Sequence, residues 1–110
     1  MRDQLESVYE AIYHRLCARV RAAHGPESGV VCFASGLQSD PNDPARATFS
    51  LAVRHLGVGR TFYLTLAGAS VSIRERDEPD LLFPDSEQAC GHLLALADEL
   101  LSRPLDAWGR

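Results

Sequence analysis

The stretch Ala47-Thr48-Phe49-Ser50-Leu51-Ala52-Val53-Arg54, followed after Gly57-Val58-Gly59 by Thr61-Phe62-Tyr63-Leu64-Thr65-Leu66, decides the fold. Apolar residues fill every second position: Ala47, Phe49, Leu51 and Val53, then Phe62, Leu64 and Leu66. Successive side chains of a strand point to opposite faces, so this pattern predicts two strands with one face packed and one face wet. Val71 and Ile73, alternating with Ser70, Ser72 and Arg74, predict another strand. The apolar run Val30–Ala34 predicts one more. The links Gly57-Val58-Gly59 and Ala67-Gly68-Ala69 are too short for a parallel crossover, so the neighbours are antiparallel.

The period changes on either side of this block. In residues 2–24, Leu5, Val8, Tyr9, Ile12, Leu16, Val20 and Ala23 fall at helical spacing and make one apolar stripe. Gly25-Pro26 is a stop signal, with Gly25 expected in the left-handed cap conformation. A second helix is expected to start at Asp85, an N-cap whose capping-box partner is Gln88. Its stripe is Ala89, Leu93, Leu96, Ala97 and Leu100, and Pro104 ends it. Gly91 costs this helix about 1 kcal/mol relative to Ala, which points to a close approach by a neighbouring element. Trp108 is expected to fold back onto the domain.

The elements read α-β-β-β-β-α. Two amphipathic helices and a one-sided sheet combine most economically as a two-layer α+β sandwich. The fold expected for residues 1–110 is therefore a single domain: an antiparallel four-stranded meander with the N- and C-terminal helices on one face. The other face carries Thr48, Ser50, Arg54, Thr61, Tyr63, Thr65, Ser72 and Arg74. Residues 36–46 and 75–84 read as irregular connections.

Composition narrows the chemistry. The 110 residues contain no lysine, so all 11 basic side chains are arginine. A P-loop lysine, a Schiff-base lysine and a lysine general base are thereby excluded. Formal net charge is −4 and the arginines are scattered, an unfavourable balance for nucleic acid. No apolar run approaches the ~20 residues that span a bilayer, so no membrane partner is expected. The N-terminus lacks the pattern of a signal peptide, and the 3 cysteines leave an odd one out with no close pair. Both fit a reduced, cytoplasmic setting.

Individual motifs were weighed for chemistry. His14 and Cys17 share a helical face and, with Cys90 or His92 from the last helix, are the only candidate metal ligands, but no metal-binding spacing supports them. The cysteines otherwise read as small buried apolar residues. Ser35 ends a strand without a nucleophile elbow. Asp40-Pro41-Asn42-Asp43-Pro44 lacks the pattern of a calcium loop and reads as a mobile acidic loop. No cofactor is called for and no catalytic constellation assembles, so an enzyme is not expected.

Leu81-Leu82-Phe83, between Pro79 and Pro84 and after the charge run Arg74-Glu75-Arg76-Asp77-Glu78, is either an edge strand packed under the last helix or an apolar anchor. With Tyr63, Arg54 and Arg74 it forms the expected partner-binding set, for another protein or for self-association. A small-ligand or metal-binding domain near His14, Cys17, Cys90 and His92 is the alternative.

The element order resembles the frataxin-like sandwich, whose first helix handles iron with acidic residues. That resemblance implies a role for Asp3, Glu6 and Glu10, a set too sparse to carry iron chemistry over. Small acidic secretion chaperones are similar in size and charge, but they usually insert a helix within the sheet. From Leu5 through Tyr63-Leu64-Thr65-Leu66 to Asp98, the chain looks like small uncharacterised proteins of Burkholderia-type proteobacteria, a resemblance of overall appearance without a diagnostic motif. That resemblance implies a compact cytoplasmic domain and no particular activity.

Overall fold

The computed structural model describes residues 2–108. Helix α1 spans Arg2–Ala23, and a 3-10 turn, Pro26–Ser28, leads into the sheet. The strands are β1 (Val30–Ala34), β2 (Gln38–Asp40), β3 (Asp43–His55), β4 (Val58–Ala67), β5 (Ser70–Arg74) and β6 (Leu81–Phe83). Helix α2 (Ser86–Leu101) and a 3-10 turn, Leu105–Ala107, complete the chain. All pairings are antiparallel, in the order β1-β3-β4-β5-β6, with β2 pairing β3.

The α+β architecture is as expected, but the sheet has six strands rather than four. Both extra strands lie in stretches that lack alternating apolar residues. Gln38-Ser39-Asp40 is polar and pairs with β3 through its backbone. The acidic stretch after it is a tight turn: the Asn42 N–H donates to Asp40 Oδ1 at 2.8 Å and the Ala45 N–H to Asp43 Oδ1 at 3.0 Å. Aspartates thus form the hairpin by accepting from nearby backbone. Leu81-Leu82-Phe83 is the edge strand β6, opposite Ile73, Ser72 and Val71.

One face of the sheet is packed. Ala47, Phe49, Leu51, Val53, Phe62, Leu64, Leu66, Val71 and Ile73 join a single core with Leu5, Ile12, Leu16 and Val20 of α1 and Ala89, Leu93, Ala97 and Leu100 of α2. Burying each large aliphatic or Phe side chain contributes about 1.5–3 kcal/mol before entropy is charged against it. The helices are tied to each other by Arg15 with Glu87 and Arg19 with Asp98. Trp108 folds back as expected: its indole N–H donates to Arg103 O at 3.2 Å, and its ring meets His24 and His55 edge-on.

Local signals fared unevenly. Asp85 caps α2, its carboxylate accepting from the Gln88 N–H at 2.8 Å. The Gln88 amide donates to the other Asp85 carboxylate oxygen rather than closing a reciprocal box. Gly25 follows α1 in an extended conformation (φ −64°, ψ 171°), not a left-handed one, because the chain enters the 3-10 turn there. Gly91 faces open space, with nothing within 4 Å of where a Cβ would stand, so helix packing does not explain it. The β3–β4 turn places Leu56 (φ 53°) and Gly57 (φ 80°) in the left-handed region, the pair of positive φ values that suits a tight hairpin.

Candidate recognition surface

The face of the sheet turned away from the helices follows from register. Opposite pairs on it are Ser50 and Tyr63, Thr48 and Thr65, and Ala52 and Thr61 across β3 and β4; Tyr63 and Arg74, and Thr65 and Ser72 across β4 and β5; and Ser72 and Leu82 across β5 and β6. Every residue assigned to the open face from alternation therefore lies on it. No helix covers this side among the described residues, and Tyr63 stays 41% exposed at its centre.

Arg74 lies over the Tyr63 ring, its guanidinium carbon 4.8 Å from the ring centroid. It donates to Arg76 O at 2.6 Å and comes only within 3.9 Å of Asp80. Arg54 donates to Gly57 O at 3.2 Å and Thr61 Oγ1 at 2.6 Å, both neutral acceptors. Both guanidinium groups are thus held in place and keep much of their capacity for an incoming carboxylate. Beside Arg74 lies a shallow concavity of about 530 Å³, bordered by Ser35, Gln38, Thr48, Ser50, Tyr63, Thr65, Arg74 and Asp80.

The six predicted partner-binding residues divide. Tyr63, Arg54, Arg74 and Leu82 share the bare face, with Leu82 at its edge and 73% exposed. Leu81 and Phe83 point the other way. Phe83 packs against the core and against the His92 ring, 5.0 Å between centroids. Leu81 borders a cavity of about 500 Å³ beside His92, Leu96 and Arg60. Alternation within β6 requires this split between the two faces of the sheet.

Sequence reasoning missed Val31 and Phe33. They lie opposite Arg54 and Ala52, so they belong to the same bare face and are half-exposed. The run Val-Val-Cys-Phe-Ala has no internal alternation to sort them. Pairing it antiparallel to β3, whose alternation is clear, supplies the missing signal. Ser35 is a strand-ending residue, as expected: its N–H donates to Ser50 O and its hydroxyl accepts from the Ser50 N–H.

No protein-family model and no curated protein matches this chain.

The candidate metal ligands do not converge. Among the described residues no three His, Cys, Asp or Glu side chains gather as a metal site. His14 is exposed, Cys17 contacts Cys32 O, Cys90 is buried in the core and the His92 ring packs tilted against Phe83. Burial pushes the Cys90 thiol above its ordinary pKa. His92 Nε2 is buried without a hydrogen-bond partner.

On the helix side of the sheet, the guanidinium of Arg60 donates four hydrogen bonds. It donates to both Glu75 carboxylate oxygens at 2.7 Å, to Leu96 O at 3.1 Å and to Glu99 at 3.2 Å. The hydrogen bond to Glu75 is the main reason its pKa rises further. Through Glu75, just past the end of β5, this cluster ties β4 to β5 and α2.

Across the described residues no helix is long and apolar enough to cross a membrane.

Proposed function

We propose that this chain works by binding another protein across the bare face of its sheet. The partner is a segment carrying apolar side chains beside carboxylates. One observation carries this reading: Arg54 and Arg74 are fixed among Val31, Phe33, Tyr63 and Leu82, Arg54 by neutral acceptors and Arg74 by a carbonyl and a long ion pair of 3.9 Å with the exposed Asp80. Tyrosine and arginine dominate binding hot spots because they combine large contact area with directed polar groups. The chain as a whole is acidic, so the cations Arg54 and Arg74 select an acidic partner locally.

The test places the photo-crosslinker p-benzoylphenylalanine at position 33 on the bare face, or at position 18 on the exposed side of α1. In the native host, a distinct protein is expected to crosslink from position 33 and not from position 18. Replacing Tyr63→Thr together with Arg74→Gln is expected to remove that adduct while the fold persists. Equal crosslinking from both positions, adducts only to a second copy or to nucleic acid, or an adduct insensitive to the double variant would each contradict the reading.

A second reading, a small-ligand site, is carried by the partnerless Nε2 of His92 beside the 500 Å³ cavity. Buried polar atoms are normally hydrogen-bonded, so this one is available to a ligand. A thermal-shift screen against small hydroxylated and carboxylated molecules tests it. A saturable rise that His92→Phe abolishes supports this site, and no shift from any compound removes it.

A further inference from the structure

Cys17 and Cys32 are distant in sequence and meet in the fold. The Cys17 thiol donates to the Cys32 carbonyl at 3.9 Å. Both residues are partly exposed, whereas Cys90 is buried. They border a small cavity of about 220 Å³ with Arg21, His24 and Val30, which gives a reagent access to the pair. Cys17 sits on α1 and Cys32 on β1, so a bond between their sulfurs would join the helix layer to the edge of the sheet.

We propose that Cys17 and Cys32 form an oxidisable dithiol, which a low-molecular-weight disulfide converts to an intramolecular disulfide. The Cys17 thiolate attacks one sulfur of the reagent, forming a mixed disulfide and expelling one reagent thiolate, which takes up a proton. The Cys32 thiolate then attacks the Cys17 sulfur, forming the protein disulfide and expelling the second reagent thiolate. The protein loses two electrons and two protons, and the reagent disulfide is reduced to two thiols.

The environments set the order. Burial, and then the hydrogen bond and charge of Cys17, raise the Cys32 pKa, while Arg21 opposes them. Cys32 is therefore a poor first nucleophile. Once the Cys17 sulfur is in a mixed disulfide it no longer hydrogen-bonds as a thiol, which removes one of the causes that raise the Cys32 pKa.

The test treats the reduced full chain with oxidised glutathione, then measures intact mass and maps tryptic peptides. Cleavage after Arg15, Arg19, Arg21 and Arg46 puts the two cysteines on separate peptides. Wild type is expected to lose two hydrogen masses and to yield a 17–32 crosslinked peptide, with Cys90 unmodified. Cys32→Ser is expected to retain one glutathione on Cys17, and Cys17→Ser to stay largely unmodified. Circular dichroism checks that each variant folds. A stable glutathione adduct on wild type, no reaction at Cys17, or a crosslink involving Cys90 would overturn the proposal.

Discussion

Strand β4 offers two sides of one backbone for comparison. Phe62, Leu64 and Leu66 are buried under two helices, while Tyr63, one position away, is exposed beneath the Arg74 guanidinium. The arginines divide in the same way. Arg60, on the helix side, is met by two carboxylates and a carbonyl. Arg54 and Arg74, on the bare side, are held by neutral groups and one distant aspartate. A cation placed under the helices is satisfied within the fold, because a partnerless buried charge is costly. A cation on the bare face carries no such requirement.

Substitutions on the two sides should therefore separate stability from binding. Phe62→Ala opens a core cavity and is expected to cost about 3–5 kcal/mol, read from urea unfolding. Arg60→Met leaves Glu75 without its partner and is expected to cost about 1–2 kcal/mol; part of that cluster is solvated, which tempers the loss. Asp85→Ala removes the cap of α2, which covers the packed side, and is expected to cost about 1 kcal/mol. Tyr63→Thr and Arg74→Gln are expected to move the unfolding free energy by no more than about 0.5 kcal/mol each. If either bare-face change cost as much as Phe62→Ala, that face would be part of the fold's interior and the comparison would collapse.

Legibility followed periodicity. Both helices, the four alternating or apolar strands and the polar open face were readable because each repeats a physical period over several residues. Strands β2 and β6 were not readable as strands with certainty, since three residues are too few to show a period and their pairing is made by backbone. For Leu81-Leu82-Phe83 the sequence offered an edge strand or an apolar anchor; the segment is an edge strand, and its pleat divides the side chains between the two faces. Val31 and Phe33 were hidden in an apolar run that only register with β3 resolves. The Cys17 and Cys32 pair depends on how α1 is laid across the edge of the sheet, a tertiary relation that no local spacing encodes.

Hydroxyl-radical footprinting of the isolated chain tests the central claim most directly, because it reads aromatic exposure on both sides of the sheet at once. Phe33 and Tyr63 are predicted to oxidise several-fold faster than Phe49 and Phe62. Equal protection of all four would show that the supposedly bare face is covered, and the account of a free recognition surface would be wrong.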